Sequence, residues 1–208
     1  MLLHGLTDNG TSWADATSRW TSSGWTVVTV DARGHGLSPR WSPAELAGHP
    51  GDVMADDVAR LVSGADGPVA LVGHSMGAAV AAAAQAPQGV WAVVAQEPPF
   101  TLPPRQRDAD RARQYLEGHA DDLATPRQTR IQRCRVEHPA WPTSELEPWA
   151  EADGQIDEAL LATGDIVPST PWPDLVRHVT RAGVPLLMVT GEAYHAVVDQ
   201  FLARHAPA

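Results

Sequence analysis

The chain has 208 residues, 43% apolar and 19% charged, which suits one globular domain with or without an insertion and excludes a disordered or fibrous chain. Its 15 basic residues face 25 acidic ones, a net charge of −10. That balance argues against a nucleic-acid partner and against a polybasic membrane anchor. Every basic residue is Arg, so chemistry that needs a lysine amine is excluded. Cys134 is the one cysteine, which rules out an intrachain disulfide and a Cys-rich zinc site. No run approaches the roughly 18 apolar residues of a membrane helix. A soluble, cytoplasmic protein is expected.

Short apolar strands alternate with helical stretches, the pattern of an α/β fold with a mostly parallel sheet. Leu2-Leu3 reads as the tail of a strand ending at His4-Gly5. Trp25 to Val30 is a continuous β-branched run, as expected of a buried central strand. Asp52 to Val62 spaces its apolar residues as a helix does. Pro68 to Val72 is a further strand, and Met76 to Ala86 has the highest helix propensity in the chain. Gly89 to Ala95 and Val184 to Thr190 read as two more strands. The stretch 98–172 differs: it is rich in Arg, Pro and Trp and contains no good strand. Helical pieces are expected near 105–124, 126–136 and 144–161. The division that follows is a core of residues 1–97 and 173–208, with 98–172 as a helical lid inserted between strands.

Gly73-His74-Ser75-Met76-Gly77 is Gly-x-Ser-x-Gly, directly after one strand and before one helix. That context is what a nucleophile elbow requires. A turn this tight strains the backbone of Ser75 and exposes its hydroxyl. Side chains at 73 and 77 would collide with neighbouring elements, so both are Gly. The helix that follows aims its free N–H groups and positive dipole end at the site.

Two further segments accompany the elbow. His4-Gly5-Leu6-Thr7-Asp8-Asn9 follows the first strand, and Asp31-Ala32-Arg33-Gly34-His35-Gly36-Leu37-Ser38 follows the second. With these, and with Trp13, the chain resembles the α/β-hydrolase superfamily, in particular its lidded serine esterase-like members. The resemblance carries specific motifs from Leu2 to about Glu97 and resumes from Val184 to Leu202. Between them it rests only on position and helical character. The fold it implies is a mostly parallel sheet of the α/β-hydrolase type with an inserted helical lid.

The resemblance implies roles residue by residue. Ser75 is the nucleophile, and the N–H groups of Leu6 and Met76 form the oxyanion hole. Thr7, Trp13, His74 and Trp149 are candidate pocket residues, with core packing the alternative for Trp13 and Trp149. His74 is read as a satisfied core histidine pointing under the sheet. Gly34-His35-Gly36 is read as a structural turn with glycines at positive φ and Arg33 tying loops together. His35 as base is the lesser alternative. His195 in Tyr194-His195-Ala196 is the expected base, ahead of His178 and His205, whereas His119 and His138 are expected on the surface. The family's acid falls about three residues past the position of Gly191, which here is Tyr194. The chain therefore looks short before His195, as it does before Met1. The acid is then Glu97, Glu192 or a residue in an absent stretch.

The leading function is hydrolysis of an ester, lactone or thioester through an acyl-enzyme, without metal or cofactor. The substrate is a small molecule with an apolar group. Ser rather than Asp at 75 sets aside dehalogenases and epoxide hydrolases. Carbon–carbon bond hydrolases and cofactor-free haloperoxidases share the triad and stay open. So do a non-catalytic ligand-binding member and an interaction module built on the lid.

Overall fold

The computed structural model describes residues 1–84, 89–99, 108–139, 141–190 and 194–207, with only the backbone of Tyr194 and His195. Its centre is a parallel five-stranded sheet: β1 (Leu2–Leu3), β2 (Thr29–Val30), β3 (Val69–His74), β4 (Val90–Gln96) and β5 (Leu186–Val189), in the order β2-β1-β3-β4-β5. The helices are α1 (Ala14–Ser22), α2 (Pro43–Leu46), α3 (Pro50–Ser63), α4 (Met76–Ala83), α5 (Ala109–Ala124), α6 (Arg127–Glu137), α7 (Thr143–Ala152), α8 (Glu158–Leu161), α9 (Trp172–Arg181) and α10 (Tyr194–His205).

β1, β3 and β4 lie inside the sheet, between the edge strands β2 and β5, and β3 and β4 are its long interior strands. Leu71, Val72, Val93 and Val94 are essentially inaccessible, as the continuous apolar runs require when helices cover both faces. On one face α3, α4 and α9 pack through Met54, Val58, Val80, Leu175 and Val179. On the other, α1 and α10 pack through Ala16, Trp20, Val198 and Leu202. Asp199 joins those two helices by accepting from the Trp20 indole N–H at 2.8 Å and pairing with Arg19. Each such aliphatic side chain contributes roughly 1.5–3 kcal/mol by leaving water.

The run Trp25 to Val30 departs from expectation. Only Thr29–Val30 is strand, at the edge of the sheet, and Val28 is half exposed. Its composition is that of a buried strand, but among the described residues it pairs with β1 alone. Trp25 instead stacks on Trp91 across the sheet face, ring centroids 6.0 Å apart.

Within 108–161 the helices fall on the expected pieces, the third dividing into α7, a 3-10 turn at Asp153–Gln155 and α8, whereas α9, just before β5, is a helix that the sequence reading did not expect. Ile131, Cys134, Leu146 and Ala150 form a small core of their own, sided by Trp141 and Trp149. Leu160, Ile166 and Val167 join the main core. The segment is tied to the loops at the carboxyl ends of β1 and β2. Asn9 Nδ2 donates to Gln155 Oε1 at 2.8 Å, and Asp157 accepts from the Trp41 N–H at 2.8 Å. The Asp157 N–H donates to the Gly34 carbonyl at 2.7 Å. Among the described residues, no helix is long and apolar enough to cross a membrane.

Candidate functional site

All five strands run parallel, so their carboxyl ends share one edge of the sheet, where ligands of such folds bind. The loops after β1, β2, β3 and β4 carry His4 to Asp8, Asp31 to Ser38, Ser75 and Glu97.

Ser75 sits between β3 and α4 with φ +49° and ψ −113°, a conformation L-residues rarely adopt. The two flanking glycines make that turn possible by close approach. A Cβ on Gly73 would lie 2.2 Å from the Gly77 carbonyl oxygen, and one on Gly77 would lie 2.3 Å from the Leu3 carbonyl oxygen. The chain can pass from strand to helix this sharply only where neither position has a side chain. Met76 opens α4, so its N–H is among those a helix leaves without an intrahelical acceptor.

Among the described non-glycine residues, Glu97 is the other one at positive φ, +44°. His74 and Gln96 are register partners, and the Ser75 N–H donates to the Gln96 carbonyl at 2.9 Å. The two strained residues therefore end neighbouring strands side by side.

The Leu6 amide is oriented by histidines that are wholly buried. The Ala32 N–H donates to His4 Nε2 at 3.0 Å. An amide N–H cannot accept, so the ring carries its proton on Nδ1, which donates to the Gly5 carbonyl at 2.7 Å. Burial holds His4 below the ordinary imidazole pKa and keeps it neutral. The Gly5–Leu6 peptide is trans, so the Leu6 N–H points opposite to that carbonyl, away from His4. His35 Nε2 donates to the Leu6 carbonyl at 2.8 Å, and burial depresses its pKa to about 4. His35 is thus a structural residue of a turn with Gly34 and Gly36 at positive φ, and not a base. Arg33 ties loops as expected: it pairs with Asp57 at 3.0 Å and Glu45 at 2.7 Å and lies over Trp41.

His74 corrects its sequence reading. Its ring is half-buried rather than in the core, with Nδ1 3.7 Å from Asp8 Oδ2 and Nε2 3.7 Å from Glu97 Oε2. Burial works against a charged ring, and Asp8 and Glu97 outweigh it, so His74 titrates above the ordinary imidazole range. Asp8 was not singled out in the sequence. The one available signal was an acid three residues past Gly5 in the loop that carries Leu6.

The other candidates separate. Thr7 is exposed on the loop after β1. Trp13 is buried in the core under α1, and Trp149 packs in the small core of α6 and α7, with Trp141 edge-on at 6.4 Å. His119 is buried beside Glu158 rather than on the surface, because α5 turns that face toward α8. His178 is exposed on α9. The His195 side chain and Glu192 lie outside the described residues, which leaves the geometry of the expected base unstated. Among the described residues no cluster has the make-up of a metal site.

Comparison with known proteins agrees with this architecture. A family model described as the alpha/beta hydrolase family matches residues 1–208. A 2-(acetamidomethylene)succinate hydrolase of Mesorhizobium japonicum is 30% identical over 223 residues, covering 98% of this chain and 74% of that protein. Lipase LipV of Mycobacterium tuberculosis is 30% identical over 165 residues, 78% of this chain and 57% of the lipase. Among solved structures, an E-2-(acetamidomethylene)succinate hydrolase superposes with a TM-score of 0.60 at 21% identity, over 100% of this chain and 90% of that one. The thioesterase domain from the curacin biosynthetic pathway gives 0.62 at 19% identity, over 97% and 79%. The structural likenesses show the fold, and the family match spans the whole sequence. The chain belongs to the alpha/beta hydrolase family.

Proposed function

We propose that this hydrolase cleaves a carboxylic ester, lactone or thioester of a small, partly apolar molecule through an acyl-enzyme. Ser75 attacks the carbonyl carbon, and His195 takes the hydroxyl proton and returns it to the leaving group. Water then releases the acyl group by the same route. The Leu6 and Met76 N–H groups stabilise the oxyanion, and Glu97 is the acid that orients the base. Residues 98–172 act as the lid over the site.

The observation that carries the reading is the strained backbone of Ser75 between β3 and α4. Strain of this kind persists where surrounding structure over-determines it, and it clusters at reactive residues. The second strained residue, Glu97, ending the adjacent strand, supports the assignment of the acid. Relatives named as a lipase and a thioesterase support the bond type.

The test is steady-state turnover of p-nitrophenyl esters and thioesters of graded chain length. The named substrate of the M. japonicum relative joins the panel. Ser75→Ala and His195→Ala are each expected to lower kcat by roughly 10⁴-fold or more, with KM nearly unchanged. Glu97→Gln is expected to cost at least about a hundredfold. Turnover in Ser75→Ala equal to the parent's would overturn the nucleophile. A cost below tenfold in Glu97→Gln would move the acid elsewhere.

A further inference from the structure

We infer that His74 is a positioning residue: as a cation it clasps the loop bearing Leu6, through Asp8, to the end of β4, through Glu97. The inference rests on the proposed serine mechanism for its kinetic consequence and on geometry for the clasp itself.

Three elements meet at the ring. His74 ends β3, one residue before Ser75. Asp8 closes the turn after β1, its N–H reaching the Gly5 carbonyl at 3.3 Å. Glu97 follows β4. A Cβ on Gly5 would lie 3.0 Å from His74 Nδ1 and 3.2 Å from Asp8 Oδ2, so ring and carboxylate rest together on the bare Gly5 backbone. The Gly5–Leu6 peptide is the one whose N–H is assigned to the oxyanion. Each ring nitrogen faces a carboxylate oxygen at 3.7 Å, too far for a direct hydrogen bond but within ion-pair range. A neutral imidazole has one N–H, and only the cation presents a donor to both partners. Asp8 is nine-tenths buried, and a buried carboxylate needs a charged partner. Burial resists its ionisation and His74 outweighs that, so Asp8 titrates low. The titratable groups facing the ring among the described residues are Asp8, Glu97 and neutral His4.

Two histidines then set opposite limits on the reaction. His195 must be neutral to accept the Ser75 proton, which gives an acidic limb. His74 must be charged to hold the loop, which gives an alkaline limb above the ordinary imidazole range.

The experiment measures kcat and KM for ester turnover from pH 5 to 10 in the parent and His74→Gln, with ring titration by NMR in the parent, Asp8→Asn and Glu97→Gln. In His74→Gln, kcat is expected to fall about tenfold, less than the roughly 10²–10³-fold cost of losing an oxyanion donor outright because the donor is misplaced rather than removed, with KM within about twofold. Its alkaline limb is expected to vanish. The His74 ring is expected to titrate at lower pH in both carboxylate variants. A parent limb that persists in His74→Gln, or a ring titration that neither variant moves, overturns the clasp. Failure of the serine mechanism looks different. The parent would then turn over no substrate and take no fluorophosphonate, and the ring titration alone would decide the clasp. Should His74→Gln not fold, His74→Asn carries the kinetic readout, and the His74 ring titration in Asp8→Asn and Glu97→Gln tests the clasp independently of activity.

Discussion

The peptides on either side of Leu6 are held by protons on two buried side chains, His4 and His35. His4 supplies one N–H and one lone pair to the backbone, so it works only as the neutral Nδ1–H tautomer. His4→Leu is expected to leave the Ala32 N–H unpaired and to cost about 1–3 kcal/mol in urea unfolding, together with a fall in kcat. His35 makes a statement about pH. Its pKa falls from 6.5 in the unfolded chain to about 4 in the fold because it is buried. The unfolded chain therefore binds the proton first as pH drops. The stability from a neutral His35 is complete above pH 6.5 and lost as pH falls through about 4. On the order of 3 kcal/mol is at stake. Because other groups titrate in the same window, the loss is read as the difference between the parent and His35→Gln: in urea unfolding at pH 7 and pH 4.5 the parent is expected to lose more stability on acidification than the variant.

At the scale of elements, the elbow is the most constrained join in the chain. Gly77→Ala would drive a Cβ into the Leu3 and His4 carbonyls, both backbone, so β1 or α4 must move. A loss of about 3 kcal/mol or more is expected, read as a lower midpoint in thermal unfolding. The elbow was legible in sequence because its cause is local: two missing side chains between an apolar strand and an Ala-rich helix. The strands β3 and β4 were legible because burial on both faces writes a continuous apolar run. The run at Trp25 to Val30 has the same composition and sits at the edge. Position within a sheet depends on neighbours distant in sequence, which no local pattern encodes. The site divides along the same line. The proposed roles of Ser75, Leu6 and Met76 come from motifs, whereas the contact of His74 with Asp8 and Glu97 exists only once three strand ends are assembled. Trp13 and Trp149 show the converse, since a large aromatic ring reads equally as pocket wall or core until packing decides.

For the whole molecule, the helical segment between β4 and β5 is joined to the rest by Leu160, Ile166 and Val167 in the main core and by polar contacts to the loops after β1 and β2. Asp157 makes one of these contacts: it accepts from the Trp41 N–H, and it caps α8 through the Ala159 N–H at 3.1 Å. Asp157→Ala is expected to cost about 1–2 kcal/mol and to speed proteolysis within 98–157. Glu145 of α7 makes a second join, accepting from the Asp15 and Ala16 N–H groups at the start of α1. Burial and the Asp15 carboxylate push it from 4.5 to about 7. The folded protein then holds this proton more tightly than the unfolded chain. Its contribution is fully present below pH 4.5 and declines as pH rises through about 7, opposite in sign to that of His35. Glu145→Gln is expected to remove that decline and to leave the His35 slope alone in the unfolding profile. These joins tie the helical segment to the loops after β1 and β2 and to α1, and the account itself is decided at Ser75. The direct measurement is reaction of the folded protein with a fluorophosphonate probe, followed by mass mapping of the adduct. One adduct per chain is expected, on the peptide that contains Ser75, and it should be absent from a Ser75→Ala variant with an unchanged unfolding midpoint. A folded protein that takes no adduct, or an adduct that survives in Ser75→Ala, would contradict the account.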